Sequence, residues 1–393
     1  MRRTLLTLAL LASCGASGAL AATPPKQPEK GPGGADYKAA EVTKRAVGRA
    51  SAATYVFHAP GQPAGPRPVV VVFHSWGAAS PQFYGGWIEH LARRGNLVLF
   101  PRFQEVNRSR AADATATAAA LVKEALDTLA NDPEARADLS RVAYLGHLAG
   151  VPIALNLAAD AKADGLPEPR LIFALMPGGI ASDPKSRGVP LEDLAGLDKN
   201  TLLIAMSGDR DYLPTDRAGR RILKEASTIP VTRKLFMRAG SDDHGFPVIT
   251  ATLASPGSPK AEYDPAAIKL PPDPPRDPKQ KGPVWRWTAD MALSGEQTVL
   301  AAQMASNVTD AIDYLAYWKT FDLALDAAFA GKDATALRAD PRFIDMGLWS
   351  DGWPVRRLSA EMPKPEVQGQ NETPAQPTQA TPAKPQAGAQ RRL

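Results

Sequence analysis

Short apolar runs recur along this chain, each followed by an amphipathic stretch, and that alternation restricts the fold more than any other feature of the sequence. The runs are Val69 to Phe73, Leu97 to Phe100, Val142 to Leu145, Leu171 to Leu175, Leu202 to Met206 and Thr232 to Met237. Most are continuously apolar rather than alternating, which suits strands buried on both faces. Helical periodicity marks Pro81 to Arg94, Ala112 to Leu129, Val151 to Ala161 and Thr215 to Ala226. The pattern predicts an α/β architecture: a mostly parallel central sheet with helices on both faces. A longer helical stretch, Ser294 to Ala330, places Tyr314, Trp318, Phe321 and Leu325 on one face. Packing against the sheet is the plain reading of that face, and lining a pocket is the alternative. Trp349 and Trp353 flank a polar turn at Ser350, Asp351 and Gly352 that is expected to cap the same region.

The ends read differently. Arg2 and Arg3 precede an apolar run, Leu5 to Ala12, too short to span a bilayer but of the size of a signal-peptide core. Residues 1–21 are therefore expected to be a leader, and the protein to be exported, either periplasmic or lipid-anchored to the cell envelope. Leu11-Ala12-Ser13-Cys14 resembles a lipoprotein box and would make Cys14, the chain's one cysteine, a lipidation site. Ala19-Leu20-Ala21 offers a competing small-x-small cleavage site. Residues 22–50 read as a tether and lead-in, the tether being 22–36, rich in Pro, Gly and Lys. Residues 362–393, rich in Pro, Gln and Ala, lack the large apolar side chains that offset ordering entropy, and are expected to be disordered. A proline-rich insertion, 255–287, reads as a surface excursion of the kind that forms lids or binding loops. Residues 51–361 form the folded domain.

The formal charge of +5 is small for 393 residues, and its basic residues are interspersed with acidic ones, so nucleic acid is not an expected partner. The five histidines, at 58, 74, 90, 147 and 244, show no metal-ligand spacing, and no metal or cofactor is expected.

Chemistry concentrates in four places. Gly146-His147-Leu148-Ala149-Gly150 follows a predicted strand and opens a predicted helix, the setting of a G-x-S-x-G nucleophile elbow, but with leucine in the reactive slot. An alkyl side chain has neither a lone pair for attack nor a proton to give a base. His74-Ser75-Trp76-Gly77 follows another strand and suits an oxyanion loop. Asp209 and Asp211 follow a later strand, and His244 follows the last, giving the order nucleophile position, acid, histidine. His74 and His147 read as holding backbone around the loop and the elbow.

With these motifs the chain resembles the α/β-hydrolase superfamily over residues 51 to about 360, in particular its dienelactone hydrolase, chlorophyllase and lipase-like branch. Val69 to Ala78 is similar to that family's strand and oxyanion loop, Gly208-Asp209-Arg210-Asp211 to its acid loop, and Asp243-His244-Gly245 to its histidine loop. The resemblance implies the α/β-hydrolase fold, with Asp211 and His244 as a residual triad and Asp209 fixing its turn. Leu148 departs from the family's serine, Ser75 from a common glycine, and Val151 from a frequent second glycine. The expectation is a non-catalytic protein that binds a small hydrophobic or ester-like ligand, or a protein partner through its tail. The alternatives are an ester hydrolase with a replacement nucleophile such as Ser75, and an enzyme using His244 and Asp211 as a base without a covalent step.

Overall fold

The computed structural model describes residues 21–49, 52–61, 65–183, 185–210, 212–268, 286–293 and 296–363. Among the described residues, nine strands form one sheet: β1 (Thr43–Arg49), β2 (Ala52–His58), β3 (Arg67–Phe73), β4 (Leu97–Pro101), β5 (Ala137–His147), β6 (Leu171–Leu175), β7 (Leu202–Gly208), β8 (Lys234–Ala239) and β9 (Ser359–Glu361). Their spatial order is β1-β2-β4-β3-β5-β6-β7-β8-β9. Strands β3 to β8 run parallel, whereas β1, β2 and β9 pair antiparallel at the two edges. The helices are α1 (Gly85–Arg93), α2 (Ala114–Leu129), α3 (Gly150–Ala159), α4 (Ala161–Asp164), α5 (Tyr212–Glu225), α6 (Glu296–Ser306), α7 (Lys319–Phe329) and α8 (Ala334–Ala339). This strand order, with antiparallel edges on a parallel centre, is the α/β-hydrolase fold.

The period-2 alternation of a strand sets which core each residue joins. In β3, Val70 and Val72 face a core with Trp87, Ile88 and Leu91 of α1 and Phe321 of α7. Val69, Val71 and Phe73 face the opposite core, with Leu121 and Val122 of α2 and Ile153 and Leu157 of α3. A strand covered on both sides in this way has no solvated face, which is why the six parallel strands read as apolar runs.

Three expectations are corrected. The segment 22–36 is not a free tether but lies docked along the domain. Gly33 N donates to the buried Asp322 carboxylate at 2.8 Å, Tyr314 Oη donates to Pro25 O at 2.6 Å, and Phe246 N donates to Ala22 O at 2.8 Å. Extended Pro/Gly-rich backbone leaves its carbonyls and amides open to partners elsewhere in the fold, and composition alone does not reveal those partners. Gly33 has φ of 72°, and a Cβ there would stand 2.2 Å from Tyr314 O, so glycine is required by space as well as by conformation.

The insertion begins as core rather than as a surface excursion. Ser258 is fully buried: its N donates to Phe83 O at 2.9 Å, its O accepts from Gly86 N at 2.8 Å, and its Oγ accepts from Trp87 N at 3.1 Å. The last two bonds occupy the Gly86 and Trp87 amides, at the start of α1, which the helix itself leaves without partners. Tyr263 packs tilted on Phe57, 5.4 Å between centroids. Residues 269–285 lie outside the described residues.

The stretch 294–330 is not one helix. Between α6 and α7 a π-helical segment, Ile312–Trp318, carries the aromatic face, and Phe321 packs edge-on against Phe173 of β6 at 5.5 Å. The four residues expected on one face are all buried. Cys14 and the rest of 1–20 lie outside the described residues, as does the tail beyond residue 363.

Candidate active site

The elbow is formed at the carboxyl end of β5, where the chain turns into α3. A Cβ at Gly150 would stand 2.0 Å from Phe73 O, and one at Gly146 would stand 2.7 Å from Gly150 O. Both glycines are therefore demanded by the close passage of backbone. Leu148 sits between them with φ of 50°, and its N donates to Leu175 O at 3.1 Å. That left-handed conformation costs an L-residue roughly 1–2 kcal/mol. Leu148 is only 5% exposed and joins the core that contains Met176, Ile249, Ala254 and Met304. Burying a leucine is worth roughly 1.5–3 kcal/mol, so packing offsets the strain and the turn persists without a nucleophile. Ala149, next in the turn, is 1% exposed.

The loop 74–77, expected from the sequence to be an oxyanion loop, is packed as tightly. Ser75 is fully buried, its N donating to Tyr84 Oη at 3.0 Å. Its Oγ lies 3.2 Å from Tyr84 Oη and 3.8 Å from Met304 Sδ. Neither neighbour is a general base. Trp76 Nε1 donates to Met291 O at 3.2 Å, and Gly77 N donates to Gln104 Oε1 at 2.7 Å. His74 stacks on Phe103, 3.9 Å between centroids, and donates from Nδ1 to Ser75 O at 2.8 Å. Burial pushes its imidazole down to about 3, so it is neutral.

His147 is fixed from both sides. A carbonyl can only accept, so Nε2 carries the proton and donates to Leu253 O at 2.9 Å. Nδ1 then accepts from the Tyr84 hydroxyl at 2.8 Å. Burial lowers the His147 imidazole to about 4, which keeps it neutral. The chain Ser75, Tyr84, His147, Leu253 thus ties the oxyanion loop, the start of α1, the elbow and the segment after β8 into one buried hydrogen-bonded unit.

His244 lies at the surface, and its carboxylate is one that sequence reasoning did not assign. Nε2 is 2.7 Å from Asp351 Oδ2, and the ring stacks on Trp353 with centroids 5.6 Å apart, with Trp349 at 5.7 Å. The Trp349–Trp353 turn therefore serves the histidine loop. Asp351 comes later in the chain than His244, the reverse of the acid-then-histidine order expected from the sequence. Asp209 accepts from Ser241 N and Oγ at 2.9 and 2.6 Å and from Arg356 Nη1 at 3.1 Å, a turn-fixing role. Asp211 lies outside the described residues.

A second acid was also passed over. Asp313, inside the π-helical segment, is 1% exposed, and its Oδ1 has no hydrogen-bond partner among the described residues. Burial, reinforced by the neighbouring Asp310 carboxyl, raises its pKa well above the carboxylate range. The signal was present in the sequence: an acid set within Ala311-Ile312-Asp313-Tyr314. Among the described residues, no group of three His, Cys, Asp or Glu could hold a metal ion.

No family model matches the chain, and no curated protein matches it. Among solved structures it is similar to a hyperthermophilic esterase from the archaeon Pyrobaculum calidifontis, at 15% identity and a TM-score of 0.41 over 52% of this chain and 75% of that one. It is similar also to an esterase of Rhizomucor miehei (14%, TM-score 0.42, 58% and 81%) and to carboxyl esterase 2 of Tuber melanosporum (17%, TM-score 0.41, 52% and 78%). The fold assignment itself rests on the strand order and connectivity described above.

Proposed function

We propose that this chain is an exported α/β-hydrolase-fold protein, related by its motifs to the dienelactone hydrolase and lipase-like branch, that binds a small ligand instead of hydrolysing one. The observation that carries this reading is Leu148: the elbow's left-handed turn and both of its glycines are kept, while the reactive position holds a buried alkyl group. Ser75 is a poor substitute. It is fully buried, and its hydroxyl neighbours are a phenol and a thioether rather than a base. Turnover of short-chain nitrophenyl esters by the purified protein tests the reading. Rates equal to those of a Ser75→Ala, His244→Ala double variant are expected, and a clear excess in the unmodified protein overturns it.

One observation favours a second reading. The His244 imidazole, oriented by Asp351 and about 30% exposed, is equipped to take a proton from a bound acid without a covalent intermediate. Such an enzyme would show no ester turnover, yet would exchange the acidic hydrogen of its substrate with deuterated solvent in a His244-dependent manner.

A further inference from the structure

We infer that the two loops flanking Ala22 dock on a lipid bilayer, so that the anchored chain lies with this face against the membrane. The inference goes beyond the ligand-binding reading and rests on the expectation of an exported chain held by a lipid at Cys14.

Hydrogen bonds fix where the chain enters the fold. Ala22 O accepts from Phe246 N at 2.8 Å. Thr23 pairs with Ser350 in both directions, its N donating to Ser350 Oγ at 2.9 Å and its O accepting from Ser350 N at 3.0 Å. A Cβ at Gly245 would collide with Ala22 O and with the Trp349 ring, so the histidine loop leaves only enough room for this segment to pass. Ala22 therefore lies between the histidine loop and the Trp349–Trp353 turn.

These two stretches of chain carry exposed apolar side chains: Phe246 and Val248 on one, Leu348 and Trp353 on the other, each between 47% and 71% exposed. They are four of the nine large apolar side chains exposed among the described residues, so the exposure gathers around one point instead of being scattered singly. Leu348 pairs with Pro354 across the turn, and the Trp353 ring stacks on His244, which ties the turn to the histidine loop. Aromatic side chains, Trp above all, favour the bilayer–water interface, where the ring is buried against lipid while its N–H stays hydrated. Two carboxylates beside them already have partners. Asp351 meets His244 at 2.7 Å, and Asp242 accepts from Trp349 Nε1 at 3.2 Å and from Arg356 N at 2.8 Å.

The length of chain before Ala22 names the occupant. Eight peptide steps separate Cys14 from Ala22, a reach of at most about 29 Å. A lipid on Cys14 thus keeps the face around Ala22 near the bilayer, and the apolar loops are what that face offers it. Interfacial binding strengthens with the apolar area buried, so four such side chains add to the hold of the anchor.

The test is co-sedimentation of the exported protein with vesicles of phosphatidylcholine and phosphatidylglycerol. Every arm carries Cys14→Ser, so that no attached lipid contributes. Phe246→Ser with Trp353→Ser is expected to weaken vesicle binding at least about tenfold. Leu139→Ser, which removes an exposed leucine at the amino end of β5, away from the elbow, is expected to leave binding unchanged. Vesicles with brominated acyl chains should quench the protein's tryptophan fluorescence, and Trp353→Phe should remove most of that quenching. Should the double variant fail to fold, Val248→Ser with Leu348→Ser takes its place, with the same weakening expected. Absence of vesicle binding, undiminished binding in these variants, equal weakening by Leu139→Ser, or quenching unaltered by Trp353→Phe overturns the inference. A dimer lost in the same variants, without vesicle binding, also overturns it and assigns the patch to a second copy of the chain. None of these outcomes involves ester turnover, so failure here and failure of the non-hydrolytic reading are separate results.

Discussion

Leu148 and Met176 leave adjacent parallel strands in the same left-handed backbone conformation, with φ of 50° and 47°, and both side chains are buried. Each extends its ladder by one bond, Leu148 N to Leu175 O and Met176 N to Met206 O. Two consecutive strand ends of the sheet therefore hold strained turns, and apolar packing fills the space above them. Strain of this kind gathers at functional sites, and here one of the two strained positions holds a leucine.

The packing predicts the outcome of placing a hydroxyl at that position. Leu148→Ser should lower stability by roughly 2–3 kcal/mol, because it removes a buried alkyl side chain and leaves a void. It should give little esterase activity, since the His147 imidazole beside it is held by Tyr84 and Leu253 and the His244 imidazole by Asp351. Urea midpoints and nitrophenyl ester rates on the variant check both statements. Rates typical of an efficient esterase would show that a working base still reaches position 148.

The elbow was legible in the sequence because its requirements are local: two glycines four residues apart, a strand before and a helix after. The six parallel strands were legible for a related reason, since burial on both faces leaves continuous apolar runs. The antiparallel edges were not. Strand β1 carries Lys44, Arg45 and Arg49 and is nowhere fully buried, so it shows no core face, and β9 is only three residues long. Pairings across long stretches of chain left no local trace. His244 meets Asp351 across 107 residues, and Gly33 meets Asp322 across 289. The same blindness made segment 22–36 read as a tether.

Buried neutral histidines make the protein acid-sensitive in a defined window. The His147 imidazole lies at about 4 in the folded state against an ordinary value of 6.5, so the unfolded chain binds the proton first. Its contribution is fully present above pH 6.5 and is lost as pH falls toward 4. By pH 5 the loss amounts to about 2 kcal/mol for this residue. His147→Gln should therefore lose about 2 kcal/mol less than the unmodified protein between pH 7 and pH 5, with His74 acting equally in both. Urea denaturation at the two pH values measures the difference, and equal losses would contradict the buried, neutral assignment.

Asp322 anchors the amino-terminal segment. Its 4% exposed carboxylate takes the Gly33 amide at 2.8 Å, His90 Nε2 at 3.0 Å and Arg94 Nε at 3.3 Å. Removing one partner of a buried ionic cluster is worth about 3–5 kcal/mol. Asp322→Ala should fall in that range and release residues 22–38, read as faster hydrogen exchange there than in β3 to β7. Uniform exchange changes across the sheet and the segment would show that the anchor is not local.

The central proposal, that the elbow presents no nucleophile, is tested most directly by exposing the purified protein to a fluorophosphonate probe and measuring adduct mass. The account predicts no covalent adduct on the unmodified chain. A stoichiometric adduct abolished by Ser75→Ala would place a working nucleophile in this site and contradict it.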